Sequence, residues 1–233
     1  MRRKLLTAVL TLAALAPPAS AAVRVHQMVV FRDGKARVSS PSAAQATAKL
    51  GRKRCAVAAA TPLAALIRSG IGPLSLRDYG SCSKRPADGG GLFVLGIGAD
   101  RNKGSDGWVY KAGNVLGTAG AADPSGPLGR GRLRSGARVT WFWCHVTAAA
   151  GGCPHTLAVA VKAGNGSLVV HVRHYNDQGN GRAAAGATVH AGGHSAVTGA
   201  DGSARLSLAS GRYGVWAGQP GRIRSFAVAA EVR

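Results

Sequence analysis

The chain of 233 residues has few acidic and few aromatic side chains. Nine aspartates and glutamates stand against 30 lysines and arginines, and Glu231 is the only glutamate. Aromatic residues make up 5% of the chain, and the apolar fraction is largely alanine and valine. Cores built from such small side chains are small, so we expect other bonds to contribute to stability.

Motifs typical of known catalytic sites are missing. The chain contains no Gly-x-Ser-x-Gly nucleophile elbow and no Cys-x-x-Cys pair, and acids that could assist a nucleophile are scarce. Gly96 and Gly98 follow a predicted strand, but the third glycine of a nucleotide fingerprint is absent. We therefore expect a protein that is not an enzyme and that needs no cofactor.

Seven histidines raise the question of a metal site. His171 and His174 lie three residues apart in a predicted strand and should face opposite sides. His190 and His194 flank two glycines and could meet across a turn. Two histidines alone do not complete a zinc site, so we expect these residues to be structural or exposed and predict no metal.

Residues 1–21 have the pattern of a secretory signal peptide. Arg2, Arg3 and Lys4 precede an apolar run that is too short to span a bilayer, and Ala19-Ser20-Ala21 is a small-x-small cleavage site. No later apolar run approaches the length of a membrane helix. We expect cleavage near Ala21, a secreted or envelope location and no stable membrane insertion, with a retained N-terminal anchor as the alternative.

The formal net charge is +21, or about +18 once the three cations of the leader are removed. Clusters of cations lie at residues 49–54 and 129–138. A charge this positive favours anionic partners such as cell-wall polymers. No motif organises the charge for nucleic acid, and export argues against a genomic target. The compositional bias of a GC-rich genome is the alternative explanation of the charge.

Four cysteines in an exported chain indicate disulfides, and three pairings are possible. We predict Cys55–Cys82 and Cys144–Cys153, because each bond closes a short loop. Cys144 ends a predicted strand and Pro154 begins another, so the second bond should join the two strands of a hairpin. A metal site is the rival interpretation, which the missing Cys-x-x-Cys disfavours.

The first half of the mature chain contains signals for one helix and several strands. Thr61 is a good N-cap, Pro62 suits the first helical position and Gly70 is a natural stop, which predicts a helix over residues 62–69. The small and polar residues 39–49 are predicted to form a loop. Residues 139–144 alternate between two faces, so at least one of the three aromatic residues at 141–143 should be partly exposed or lie against the Cys144–Cys153 turn.

The segment Gly104-Ser-Asp-Gly-Trp-Val-Tyr-Lys-Ala-Gly-Asn, followed by Gly131-Arg-Leu-Arg-Ser-Gly-Ala-Arg-Val-Thr-Trp, resembles secreted domains similar to the C-terminal domain of transcobalamin. The resemblance covers about residues 23–162 and implies a β-grasp-like fold. It also implies that Trp108 occupies the position of a tryptophan that approaches a corrin ligand. We expect an aromatic surface at Trp108 and Tyr110, with Trp108 as a core anchor being the alternative.

Residues 163–233 have a different pattern, after a predicted linker over residues 162–166. Short strands separated by turn residues predict a small antiparallel β-sandwich. The pattern around Ala200-Asp-Gly and Gly211-Arg-Tyr-Gly-Val resembles transthyretin-like or carboxypeptidase-regulatory-like modules.

These observations predict a mainly β protein with one short helix. A β-grasp-like domain over residues 22–162 should precede a β-sandwich over residues 163–233. We expect a secreted, non-catalytic binding or adhesion protein of the bacterial cell envelope that engages a corrin-like or glycan ligand. The alternative is a structural protein held by its charge on anionic cell-wall polymers.

Overall fold

The computed structural model describes residues 22–145 and 152–233. The predicted signal peptide lies outside the described residues. The fold is mainly β with little helix, as the sequence predicts. The first part of the chain contains β1 His26–Val30, β2 Ala36–Ser39, β3 Ala46–Leu50, β4 Lys53–Val57, α1 Pro62–Ser69, β5 Leu74–Asp78, a 3-10 helix over Pro86–Gly91, β6 Leu92–Ile97, β7 Asp100–Arg101, β8 Gly107–Ala112, β9 Val115–Leu116 and β10 Arg138–Cys144.

The second part contains strands only among the described residues. They are β11 Thr156–Gly164, β12 Ser167–Tyr175, β13 Gly181–Ala183, β14 Thr188–Ala191, β15 His194–Val197, β16 Ser203–Ser207, β17 Gly211–Gly218 and β18 Val228–Val232.

The centre of the first module is a five-stranded sheet with the order β2-β1-β10-β8-β9. The central strands β1 and β10 run parallel, and the other neighbours in this sheet are antiparallel. A parallel pair needs a long crossover, and here the crossover carries α1 and the smaller sheets β3-β4 and β5-β6-β7. The first module is thus a mixed sheet whose long crossover contains one helix, and the β-grasp-like fold stays a prediction.

The helix α1 has the predicted ends because both of its caps are local. The Thr61 hydroxyl accepts a hydrogen bond from the Ala64 amide, and Gly70 adopts the left-handed conformation (φ 65°) while its amide donates to the Ile67 carbonyl. Leu63 and Leu66 are fully buried beneath the sheet. The predicted loop over residues 39–49 is only partly a loop, because its last residues form β3 and pair with β4.

The second module is a sandwich of two four-stranded sheets, β11-β12-β13 with β16 also on β12, and β15-β14-β17-β18. Its core is aliphatic and includes Leu168, Val170, Val189 and Val215. The predicted linker over residues 162–166 is instead a hairpin, because β11 pairs with β12 from Thr156 to Gly164. By strand pairing the second module therefore begins at Thr156, before the predicted boundary at residue 162.

Both predicted disulfides are present, Cys55–Cys82 and Cys144–Cys153, with Cα atoms 5.4 and 5.0 Å apart. The predicted hairpin around the second bond is wrong, because β10 pairs with β1 and β8 while β11 pairs with β12. The Cys144–Cys153 bond therefore joins the two modules. Two disulfides indicate an oxidising or extracellular environment.

The two modules share an apolar interface on the far face of the five-stranded sheet. Met28, Phe142 and the Cys144–Cys153 bond pack there against Ile223 of the second module. Trp141, Phe142 and Trp143 are all buried, with 1%, 0% and 9% of their surface exposed. Phe142 is buried in this interface, whereas Trp141 and Trp143 belong to the core of the first module. The sequence predicts that at least one of these rings is partly exposed or lies against the Cys144–Cys153 turn. The second outcome is confirmed for Phe142. Among the described residues, no helix has the length and apolar character required to cross a membrane.

Candidate functional site

Trp108 and Tyr110 lie side by side on β8 and point into the core of the first module. They are 3% and 6% exposed, so the expected exposed aromatic surface is not formed by these two side chains. The Trp108 indole N–H donates to the Asp100 carbonyl at 3.0 Å. Trp108 makes edge-to-face contacts with Phe31 and Trp143 at centroid distances of 5.8 and 6.1 Å. Trp108 is therefore a core anchor, which was the alternative interpretation of this residue from the sequence.

A small apolar cavity of about 150 Å³ borders Trp108, Tyr110 and Trp141. Sites for drug-sized ligands are about 300–1,000 Å³, so this cavity is too small for a corrin ring. The Tyr110 hydroxyl lies 2.7 Å from the Ala119 carbonyl and 3.1 Å from the Pro127 carbonyl. Burial raises the pKa of this phenol well above its ordinary value, with a smaller contribution from the charge of Asp123. Tyr110 therefore acts as a neutral hydrogen-bond donor that holds the loop after β9.

A larger cleft of about 450 Å³ lies between the two modules. The first module contributes Phe31, Arg32 and Trp143, from the end of β1 and from β10. The second module contributes the segment after β17, which carries Arg222 and Arg224. Among the described residues that line the cleft, none is acidic. The cleft therefore combines aromatic walls with three cations.

Arg222 and Arg224 flank Ile223, which anchors their segment in the interface between the modules. The Ile223 amide donates to the His155 carbonyl at 2.9 Å, and the Leu157 amide donates to the Ile223 carbonyl at 2.8 Å. Because Ile223 points into the interface, the arginines on either side are placed at the rim of the apolar cluster. Local backbone pairing thus fixes the two arginines at the cleft.

Both guanidinium groups are partly desolvated, and burial lowers the pKa of Arg222 and of Arg224. Within the described residues, no carboxylate forms an ion pair with either group, and no side-chain hydrogen bond is formed by either. Arg222 Nη1 and Arg224 Nε are buried atoms without a partner. Buried polar atoms normally have a hydrogen-bond partner, so these two atoms of the half-buried arginines could accept an anion as theirs.

Trp216 on β17 holds Arg224 in place. The guanidinium carbon of Arg224 lies 3.7 Å from the centre of the Trp216 ring, within the range of a cation–π contact. His190, the cross-strand neighbour of Trp216 on β14, stacks on the ring at 4.1 Å. Trp216 thus contacts both Arg224, in the segment that follows β17, and His190 on the neighbouring strand β14. Its role is to orient Arg224.

On the other wall, Arg32 lies 5.7 Å from the centre of the Trp143 ring. The Arg32 amide is fixed by a 2.9 Å hydrogen bond to the Asp100 carboxylate. Trp143 in turn rests on Trp108 in the core. Trp108 therefore supports a residue that lines the cleft and does not line it itself.

The contact that His190 and His194 could have made across their turn is not formed. His171 is exposed on β12, and His190 pairs across the hairpin with Ser195 while His194 pairs with Ala191, so His190 and His194 lie on opposite faces. The pair that does form, His155 and His174, was not predicted. Among the described residues, one group of three potential metal ligands lies close together, and two of its members are the bonded Cys55 and Cys82.

Arg222 and Arg224 were also missed from the sequence. The signal that could have identified them is the apolar Ile223 between two arginines directly after a Gln-Pro-Gly turn. Such alternation buries one side chain and leaves its neighbours at the edge of the core. The pattern does not predict the opposite wall of the cleft, because the residues of that wall belong to the first module.

Comparisons of this chain with protein-family models, with curated proteins and with solved structures found no match.

Proposed function

We propose that this protein is a non-catalytic binding protein of the cell envelope that holds an anionic polymer in the cleft between its two modules. The observation that carries the proposal is the pair Arg222 and Arg224, two partly desolvated cations that line the cleft without an acidic partner among the described residues. An anion that enters the cleft would give Arg222 Nη1 and Arg224 Nε the hydrogen-bond partner that they lack among the described residues. The disulfides support an extracellular setting.

The charge distribution favours an extended anion over a small one. The chain has a formal net charge of +21, and its cations are spread over both modules. Electrostatic attraction of a polymer to this surface would raise its local concentration near the cleft. Within the cleft, hydrogen bonds from charged donors contribute about 1.5–3 kcal/mol each, more than exposed ion pairs. The polymer is thus attracted by the whole surface and held at the cleft.

We propose that the polymer carries phosphodiester or carboxylate groups, because guanidinium groups bind both through paired N–H donors. The experiment measures binding of an oligo(glycerol phosphate) and of an oligogalacturonate by tryptophan fluorescence, since Trp143 and Trp216 line the cleft. A neutral glycan of similar length is the reference. We expect saturable binding of at least one anionic oligomer and none of the neutral one.

The test variant is Arg222→Gln with Arg224→Gln. The matched control is Arg205→Gln with Arg212→Gln, two exposed arginines of the second module outside the cleft. Both double variants lose the same charge, so only the position differs. We expect the cleft variant to weaken binding about tenfold or more and the control to change it by about twofold at most.

The alternative function, retention on anionic cell-wall polymers by overall charge, predicts a different result. Both double variants would then weaken binding equally, and binding would be lost as salt shortens the Debye length from about 10 Å at 0.1 M. Equal weakening would support this alternative against the cleft. Binding of neither oligomer would contradict both proposals.

A corrin ligand, as the resemblance to transcobalamin-like domains implies, stays a prediction. It would have to bind outside the small cavity beside Trp108, because that cavity holds about 150 Å³. Fluorescence titration with cobalamin tests it directly. Quenching that persists in the Arg222→Gln, Arg224→Gln variant would place a corrin site away from the cleft.

A further inference from the structure

Two histidines form a hydrogen-bonded pair behind the cleft. His155, just before β11, and His174 on β12 have ring centres 5.0 Å apart and ring planes 11° apart. Their Nδ1 atoms lie 2.9 Å apart, so one Nδ1–H donates and the other Nδ1 accepts. Both residues are half-buried, and the pair is held between two neighbouring strands.

The pair is connected to the cleft by the backbone. The His155 carbonyl accepts the amide of Ile223, which places the pair beside the segment that carries Arg222. Pro154, the residue before His155, lines the cleft together with Arg222. Desolvation is the largest cause that lowers the pKa of each histidine, and the positive charge of Arg222 is the second. Arg222 and the pair therefore act on each other electrostatically.

We propose that the His155–His174 pair makes anion binding in the cleft depend on protons, so that uptake of one proton by the pair strengthens binding at acidic pH. The inference rests on the proposed function, because it concerns the same cleft. A proton on the pair adds a positive charge behind Arg222. An anion in the cleft in turn screens the charge of Arg222 and stabilises the protonated pair, since the two equilibria are linked.

The hydrogen bond limits the pair to one proton. In the neutral pair, the donor histidine has Nδ1–H and a free Nε2. A proton added at that Nε2 gives an imidazolium whose Nδ1–H still donates to the other ring. A second proton would place two N–H groups against each other at 2.9 Å. The pair therefore takes up one proton over the pH range in which histidine titrates.

Charged groups surround the pair on several sides. The groups that act on the pair are Arg222, Lys111, Asp177, Arg182 and Arg173. The single acid among them, Asp177, lies 3.7 Å from the ammonium group of Lys111. The surroundings are thus cationic overall, which keeps the pair neutral near pH 7 until an anion binds.

The experiment measures the affinity for an oligo(glycerol phosphate) between pH 5 and pH 8 at constant ionic strength, where the phosphodiester charge does not change. We expect binding to be about three- to tenfold tighter at pH 5 than at pH 8, the effect of one added charge at intermediate dielectric. Calorimetry near pH 6 in two buffers with different ionisation heats should show net proton uptake on binding, up to about one proton.

The test variant is His174→Gln, which should bind with nearly constant affinity over this range. The matched control is His171→Gln, an exposed histidine of the same strand, which should keep the wild-type pH dependence. His190 also needs a variant, because it stacks on Trp216 at the opposite side of the cleft. A pH dependence that survives in His174→Gln and disappears in His190→Gln would overturn the inference.

A second readout does not depend on the variants folding. In the wild-type protein, the imidazole proton resonances of His155 and His174 report the pKa of the pair, and bound oligomer should raise it. Affinity that is constant with pH, or an unchanged pKa with oligomer bound, would overturn the inference and leave the proposed function intact. Failure to bind at every pH would overturn both.

Discussion

The ammonium group of Lys111, on β8 of the first module, donates a 2.7 Å hydrogen bond to the carbonyl of Asn176 in the second module. It donates a second bond of 3.0 Å to the Tyr175 carbonyl and lies 3.7 Å from Asp177 Oδ1. The side chain of Lys111 has no exposed surface. Burial lowers the pKa of Lys111, and the charge of Asp177 opposes that shift. A buried cation thus connects the two modules.

We expect Lys111→Met to lower the free energy of unfolding by about 2–4 kcal/mol. The substitution leaves the carbonyls of Tyr175 and Asn176 without this donor and Asp177 without its cationic partner, which costs more than the desolvation of the lysine that it removes. Urea denaturation followed by tryptophan fluorescence measures the change. The control is Lys162→Met on the exposed side of β11, which should change stability by less than about 0.5 kcal/mol. A Lys111→Met protein as stable as the wild type would contradict this account of the interface.

The raised pKa of Tyr110 predicts that the stability of the protein depends on pH in the alkaline range. Its pKa is raised in the folded protein, so above about pH 10 the unfolded chain loses the phenol proton while the folded protein keeps it. The contribution of this phenol is therefore complete at neutral pH and declines as the pH rises above about 10. Tyr110→Phe, which has no proton to lose, should be about 1–2 kcal/mol less stable at pH 7, and the difference should shrink at higher pH.

Denaturation at pH 7, 9.5 and 10.5 tests this prediction. Tyr79→Phe is the control, because Tyr79 is 64% exposed and has no comparable pair of carbonyl partners. A difference between wild type and Tyr110→Phe that grows with pH would show that the phenol ionises in the folded protein, contrary to the prediction.

The two disulfides should differ in what they contribute. The cysteines of Cys55–Cys82 are 27 residues apart in sequence, and those of Cys144–Cys153 are 9 apart. In the chain-entropy model, each bond adds about 2–4 kcal/mol to the free energy of unfolding. The longer loop makes the contribution of Cys55–Cys82 about 1 kcal/mol larger. Replacing each pair by alanine and comparing the free energies of unfolding measures this. Peptide mapping without reduction should first show both bonds, and a Cys55–Cys144 peptide would refute the pairing.

Removal of Cys144–Cys153 should have an additional effect on the cleft, because this bond joins the modules whose walls form it. We expect weaker binding of the anionic oligomer in that variant, with binding by the Cys55→Ala, Cys82→Ala protein unchanged. Equal affinities would show that the apolar interface and the contacts of Lys111 hold the modules in register without this bond.

Local signals in the sequence determined the ends of α1 and both disulfide pairings. A cap at Thr61, a proline at Pro62 and a glycine at Gly70 act within one helical turn, and each cysteine pair closes a loop through neighbouring elements. The mainly β fold follows from the same kind of short-range pattern, alternation along strands with glycine turns between them.

The tertiary structure decided which side chains are buried and where the cleft lies. Gln27 and Lys111 are polar residues in strands, and both are fully buried. A polar residue in a strand with one exposed face would point to solvent. Here the helix side covers the face with Gln27 and the second module covers the face with Lys111, so no outward face is left at these positions.

Packing between distant segments also explains why the sequence analysis placed the binding site at Trp108 and Tyr110. Trp108 reads as an exposed aromatic residue or a core anchor from its own strand, and only the packing of Phe31 and Trp143 around it decides between the two. The cations of the cleft come from distant segments, Arg32 at the end of β1 and Arg222 after β17. Docking of two modules brings them together, and docking depends on the shapes of two finished surfaces, which no short stretch of sequence encodes.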